Sequence, residues 1–175
     1  DAADGTVAIG YYALNALTSG IGNTAVGYQA LTTNIDGSYN TAVGYEALNT
    51  FEADTLNHGD NTAVGYRAGQ YVSTGTSNTF LGFQRGLGIT GTRLTGDDNT
   101  AIGRHAGVAL QGAASSNTLV GSAAGDGITT GLQNTGLGAS CAFDVDANNQ
   151  TAVGYGATTA STGANTIMMG NSSMT

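Results

Sequence analysis

The sequence contains no proline, no tryptophan and no lysine, and it has one cysteine. A single cysteine cannot form a disulfide within the chain. Charged residues make up 9% of the chain, against about 25% in an average domain. The four basic residues are arginines, and the formal net charge is −8. A chain this acidic repels phosphate backbones, so the composition argues against nucleic-acid binding.

Long apolar runs and recognisable chemical motifs are also missing. No apolar stretch approaches the roughly 18 residues that span a bilayer, and no signal segment opens the sequence, which begins at Asp1. That beginning predicts a mature segment or a fragment. No Ser-His-Asp set, paired-carboxylate pocket, phosphate-cradling loop or calcium loop is evident. The sequence therefore predicts a protein that is not an enzyme, takes no cofactor or metal, and does not insert into membranes.

Glycine, in contrast, is abundant, and it recurs in register with small apolar residues. The spacings between successive glycines of this register are 17, 17, 21, 17, 21, 18, 17, 16 and 16 residues. A period near 17 with insertions is typical of a solenoid. We predict one all-β domain over residues 1–175, a parallel β-solenoid of about ten coils with insertions at 48–60 and 85–98. The glycines are Gly10, Gly27, Gly44, Gly65, Gly82, Gly103, Gly121, Gly138, Gly154 and Gly170.

Each unit has a strand-like run of the type Asn-Thr-Ala-Val-Gly-Tyr. Side chains alternate across a strand, so Thr, Val and Tyr share one face while Asn and Ala share the other. We expect stacked coils to align these residues in columns that run the length of the chain. The predicted threonine column extends from Thr6 to Thr166, the aliphatic column from Ile9 to Met169, and the asparagine column from Asn23 to Asn165, with Gln150 as one replacement.

The sequence leaves open which face points inward, because the recurrent glycine can carry a bulge that resets the alternation. If Asn and Ala line the interior, the Thr-Val-Tyr face forms an apolar stripe on the outside. Copies of the chain around a three-fold axis would cover such a stripe. Cys141 stands where most other coils have alanine, which predicts a buried small side chain.

The repeat resembles known surface fibres. The run from Asn23 to Leu31 and its copies resemble the head repeats of trimeric autotransporter adhesins, and resemble the repeats of phage tail fibres more closely. This resemblance implies a left-handed parallel β-roll, a homotrimer with three chains side by side, and attachment to a host cell-surface glycan or protein receptor. Residues 165–175 resemble the segment that leads into the self-cleaving chaperone domain of phage tail fibres. The implied location is the virion, or the extracellular side of a cell.

Basic residues concentrate around the two insertions. All four arginines and both histidines lie between positions 58 and 105. Because arginine supplies planar paired donors and aromatic rings can stack on sugars, we predict a central patch that binds an acidic or hydroxyl-rich glycan. The alternative is that the arginines pair with nearby acids and that Phe83 continues the tyrosine column. The candidate ligand-binding residues are Phe51, His58, Tyr71, Arg85, Arg93 and Arg104.

Two other functions remain open. A bacterial adhesin head shares the same repeats and differs mainly in what anchors it. An ice-binding solenoid would use the Thr-x-Val ladder to order water, although the bulky and irregular tyrosine column argues against a flat ice-binding surface.

Overall fold

The computed structural model describes residues 4–53, 58–83, 92–159 and 165–171. Over these ranges the chain forms ten strands of three residues each, all on the run that precedes the recurrent glycine. The strands are β1 (Val7–Ile9), β2 (Thr24–Val26), β3 (Thr41–Val43), β4 (Thr62–Val64), β5 (Thr79–Leu81), β6 (Thr100–Ile102), β7 (Thr118–Val120), β8 (Thr135–Leu137), β9 (Thr151–Val153) and β10 (Ile167–Met169).

The ten strands form one parallel sheet in sequence order. Each strand pairs only with the strands of the coils before and after it, and the register always aligns the recurrent glycines, as in Thr24 beside Thr41. Parallel neighbours in this order require the chain to turn back after every strand, which produces a β-solenoid of about nine turns. The predicted all-β parallel solenoid is confirmed, whereas its left hand and its three-chain assembly stay predictions.

The structure settles which face points inward. Alanines in the middle of the strands, such as Ala25 and Ala42, are fully buried, and so are the asparagines before them. The flanking threonine and aliphatic side chains are partly buried or exposed, as at Val64, which is 39% exposed. Asn and Ala therefore line the interior, and the Thr-Val-Tyr face points outward.

The buried asparagines form a hydrogen-bonded ladder. Asn40 donates to the Asn23 Oδ1 atom from both its backbone N (3.0 Å) and its Nδ2 (3.0 Å), and Nδ2 also donates to the Ser38 carbonyl. The arrangement repeats at Asn61, Asn99, Asn117 and Asn134. Because every amide finds partners, these polar side chains can occupy an otherwise apolar interior.

The column assignments at the two ends of the chain were wrong by one residue. The register places Val7 beside Thr24 and Ile167 beside Thr151, so Thr6 and Thr166 do not belong to the threonine column. Asn165 likewise pairs with Asn149, one position before the asparagine ladder. The recurrent glycine sets the register. Relative to that glycine, Thr6, Asn165 and Thr166 stand one position earlier than the threonines and asparagines of the other coils.

Glycine is required in the column because the coils approach each other closely there. Gly44 has φ 137°, and a Cβ on it would lie 2.2 Å from the carbonyl oxygen of Gly65. The same contact recurs at Gly27 and Gly65 with the glycine of the following coil. The glycines therefore bend the chain after each strand and leave room for the carbonyl of the next coil.

Large core residues are matched by small ones on neighbouring coils. Phe80 and Leu119 take the place of alanine in their strands and are fully buried. A Cβ on Gly136 would lie 2.8 Å from Cys141 Sγ and 3.0 Å from the ring of Phe143. Cys141 is a free and fully buried thiol, which confirms its predicted place in the core.

Among the described residues, no helix is long and apolar enough to cross a membrane.

Candidate functional site

The outer face of the sheet carries two regular rows. Eight threonines, from Thr24 to Thr151, stand in register on β2 to β9. Two residues further along each strand lies an aliphatic side chain, in a row from Ile9 to Met169. Val64 is 39% exposed. This surface is weakly polar, and its two rows carry no charged side chain.

An aromatic column borders these rows, directly after the glycines. The rings of Tyr28 and Tyr45 lie 5.0 Å apart between centroids and are nearly parallel at 10°. Similar stacking joins Tyr45 to Tyr66 and Tyr66 to Phe83. Each ring covers the faces of its neighbours, so the column presents ring edges and phenol hydroxyls to solvent. We call the threonine row, the aliphatic row and the rings from Tyr11 to Phe83 the outer stripe.

Arg67 is held at the edge of the outer stripe. Its Nε donates to Glu46 Oε2 at 2.8 Å, and Gln70 Nε2 donates to the same oxygen at 2.6 Å. The guanidinium carbon lies 5.1 Å from the ring centroid of Tyr66. Hydrogen bonding to the Glu46 carboxylate raises the pKa of Tyr45. Arg67 thus follows the alternative in which an arginine pairs with a nearby acid, and Gln70 is a partner that the sequence pattern did not indicate.

The predicted site residues do not form one patch. Phe51 is fully buried, and its ring lies against the backbone of Gly37 on the preceding coil. It therefore belongs to the core and cannot stack on a surface ligand. His58 is exposed at a different part of the coil, where its carbonyl accepts a hydrogen bond from Ser38 N. Arg85 lies outside the described residues.

Arg104 lies on a third part of the surface. It takes the place of an aromatic residue one coil after Phe83, and its side chain is exposed. The neighbouring His105 packs its ring against Phe83 with centroids 5.7 Å apart. One coil after Phe83, the aromatic column is thus followed by Arg104 and His105.

Tyr71 and Arg93 are the two predicted site residues that the structure brings together. Leu94 N donates to Tyr71 O at 3.1 Å, and Val72 forms a parallel bridge with Leu94. Val72 and Leu94 are fully buried, whereas Tyr71 and Arg93 are exposed. Both side chains therefore point outward from adjacent coils, on a bridge ladder that is separate from the ten-stranded sheet.

Parts of both predicted insertions lie outside the described residues, namely 54–57 of the insertion at 48–60 and 85–91 of the insertion at 85–98. The two insertions therefore stay predictions.

Two acidic groups in the described ranges have raised pKa values. Burial raises the pKa of Glu52, with a further contribution from the charge of Asp36. Burial also raises the pKa of the Cys141 thiol, which makes it a poor nucleophile. The described residues contain no group of three or more His, Cys, Asp or Glu side chains arranged to hold a metal ion.

Comparison with protein-family models, with curated proteins and with solved structures gives no match for this chain.

Proposed function

We propose that the chain is a structural and adhesive segment of a trimeric fibre of the phage tail-fibre type, which attaches a virion to a host cell surface. The outer stripe is the observation that carries this proposal. The resemblance of the repeat to tail-fibre repeats supplies the biological setting, and the proposal includes no catalytic activity.

The size of the outer stripe supports its burial against other copies. Ten strands at about 4.8 Å make it about 45 Å long, and the four residue steps from Thr to Tyr make it about 13 Å wide, or roughly 600 Å². Soluble monomers seldom expose contiguous apolar patches larger than a few hundred Å². Identical parallel chains repeat the same rows at the same spacing, so three of them around one axis can cover each other's stripes.

Light scattering of the purified chain tests the assembly. A trimer has three times the 17.3 kDa mass of the chain. We expect Val43→Glu to dissociate it, because Val43 lies within the aliphatic row and a charge buried there would lack a partner. The matched control is Leu132→Glu, since Leu132 is 40% exposed but lies outside the outer stripe. A monomeric wild-type chain would refute the trimer.

A bacterial adhesin head would have the same architecture with a different anchor, and cell-binding assays on phage hosts distinguish the two. Ice binding is the alternative that the in-register threonines favour. We expect no thermal hysteresis, because the rings of Tyr28, Tyr45 and Tyr66 stand beside the threonine and aliphatic rows and are about two-fifths exposed.

A further inference from the structure

The surface row that contains Tyr71 and Arg93 differs from the outer stripe in both chemistry and position. It lies on the bridge ladder Val72–Leu94–Gly112, whereas the outer stripe lies on the ten-stranded sheet. Gly112 N donates to Arg93 O at 3.0 Å, which places the partly exposed Gln111 on the next coil of the same row. A phenol, a guanidinium and an amide therefore follow each other at the strand spacing of about 4.8 Å.

Arg93 is also electrostatically distinct from Arg67. The Arg67 guanidinium is paired with Glu46 and lies over tyrosine rings. Within the described parts of the chain, Arg93 is exposed and has no ion-pair partner. In a protein with a net charge of −8, an exposed guanidinium without a carboxylate beside it is a place where an external anion can bind.

We propose that Tyr71 and Arg93 bind an acidic sugar residue of a surface glycan. The Tyr71 ring packs against the apolar face of the sugar, and the Arg93 guanidinium donates two parallel N–H···O bonds to its carboxylate. The two residues are backbone neighbours on adjacent coils, at a strand spacing of about 4.8 Å that lets both contact one sugar residue, and Gln111 follows on the next coil. This inference rests on the proposed attachment function and names its ligand class.

The row favours a sugar over an apolar peptide because its exposed groups are hydrogen-bonding and its one flat apolar surface is a single ring. It favours an acidic sugar over a neutral one because a guanidinium matches a carboxylate in both charge and shape. The contact lies within one chain, so it does not depend on the trimer.

Calorimetric titration with a hexuronate-containing oligosaccharide tests the proposal, with the same oligosaccharide after reduction of its carboxylates as the neutral probe. We expect the wild-type protein to bind the acidic probe at millimolar concentrations and the reduced probe at least about tenfold more weakly. Arg93→Ala and Tyr71→Ala each lose binding by a similar factor, whereas Tyr71→Phe keeps the ring and retains it. Arg104→Ala removes the same charge from a different row and leaves binding unchanged.

Equal binding of the two probes would overturn the proposal, as would an Arg93→Ala variant that binds like the wild type or a wild-type protein that binds neither probe. Light scattering of the same samples distinguishes a failure of the sugar-site proposal from a failure of the fibre proposal. A monomer that binds the acidic probe refutes the trimer and keeps the sugar site, and a trimer that does not bind refutes the sugar site alone.

Discussion

Replacing Gly44 with alanine tests whether the glycine column sets the spacing of the coils. At φ 137° the alanine backbone would be strained, which costs about 1–3 kcal/mol. Its Cβ would also lie 2.2 Å from the Gly65 oxygen and 2.7 Å from the Gly65 carbonyl carbon. Restoring ordinary contacts requires a shift of roughly 1 Å in packed backbone, and overpacking of this kind costs about another 1–3 kcal/mol. We expect a total loss of about 4 kcal/mol.

Gly156→Ala is the matched control. Gly156 has φ 62°, and a Cβ there would meet no atom within 4 Å. Gln29 and Arg67 occupy the corresponding place in their coils with φ 53° and 55°, so side chains are tolerated at this position. We expect a loss of about 1 kcal/mol, from the left-handed backbone alone. The assay is urea unfolding followed by circular dichroism at one protein concentration. Equal losses of unfolding free energy in the two variants would refute the close-contact explanation.

Three further predictions concern the core and the buried titratable groups. Gly136→Ala lowers the unfolding temperature because its Cβ meets the Cys141 Sγ atom and the Phe143 ring; adding Phe143→Leu recovers part of the loss, and no recovery would contradict a steric conflict with the ring. The Cys141 thiol reacts with a thiol reagent only after unfolding, since it is fully buried and its pKa is raised by burial; rapid labelling of the native protein would contradict this. Burial raises the pKa of Glu52 in the folded protein, so the protonated side chain favours the folded state. This stability is present below the unfolded pKa of about 4.3 and is lost as pH rises through the folded pKa. We therefore expect the Glu52→Gln variant to unfold at a slightly higher temperature than the wild type at pH 7 and at the same temperature at pH 3. An equal difference in unfolding temperature at both pH values would contradict an effect of the Glu52 charge.

The glycine spacing was enough to predict the repeat, because each coil must place a glycine where the next carbonyl approaches. It also located the strands, which all end one residue before a recurrent glycine. It did not predict the register of the end coils. Thr6 and Thr166 are of the residue type expected in the threonine column, but they stand one position before it. Strand register depends on backbone pairing, which a side-chain pattern reports only indirectly.

The site residues were harder to predict for a physical reason. Phe51 lies in the predicted insertion at 48–60, which suggested an exposed aromatic, yet Gly37 on the preceding coil leaves room for its ring in the core. The neighbouring glycine is the signal that sequence reasoning could have used. Tyr71 and Arg93 are 22 positions apart, and Arg93 lies in the predicted insertion at 85–98, so only the pairing of Val72 with Leu94 shows that they adjoin.

Burial of the outer stripe can be measured directly by hydroxyl-radical footprinting of the wild-type protein. In a single chain, Tyr45 in the outer stripe is 40% exposed and Tyr71 on the other ladder is 36% exposed, so the two rings should oxidise at similar rates if nothing covers them. If identical chains cover the outer stripe, Tyr71 oxidises several times faster than Tyr45, and Val43→Glu removes the difference. Equal oxidation of Tyr45 and Tyr71 in the wild-type protein would contradict the proposal that this face is an interface.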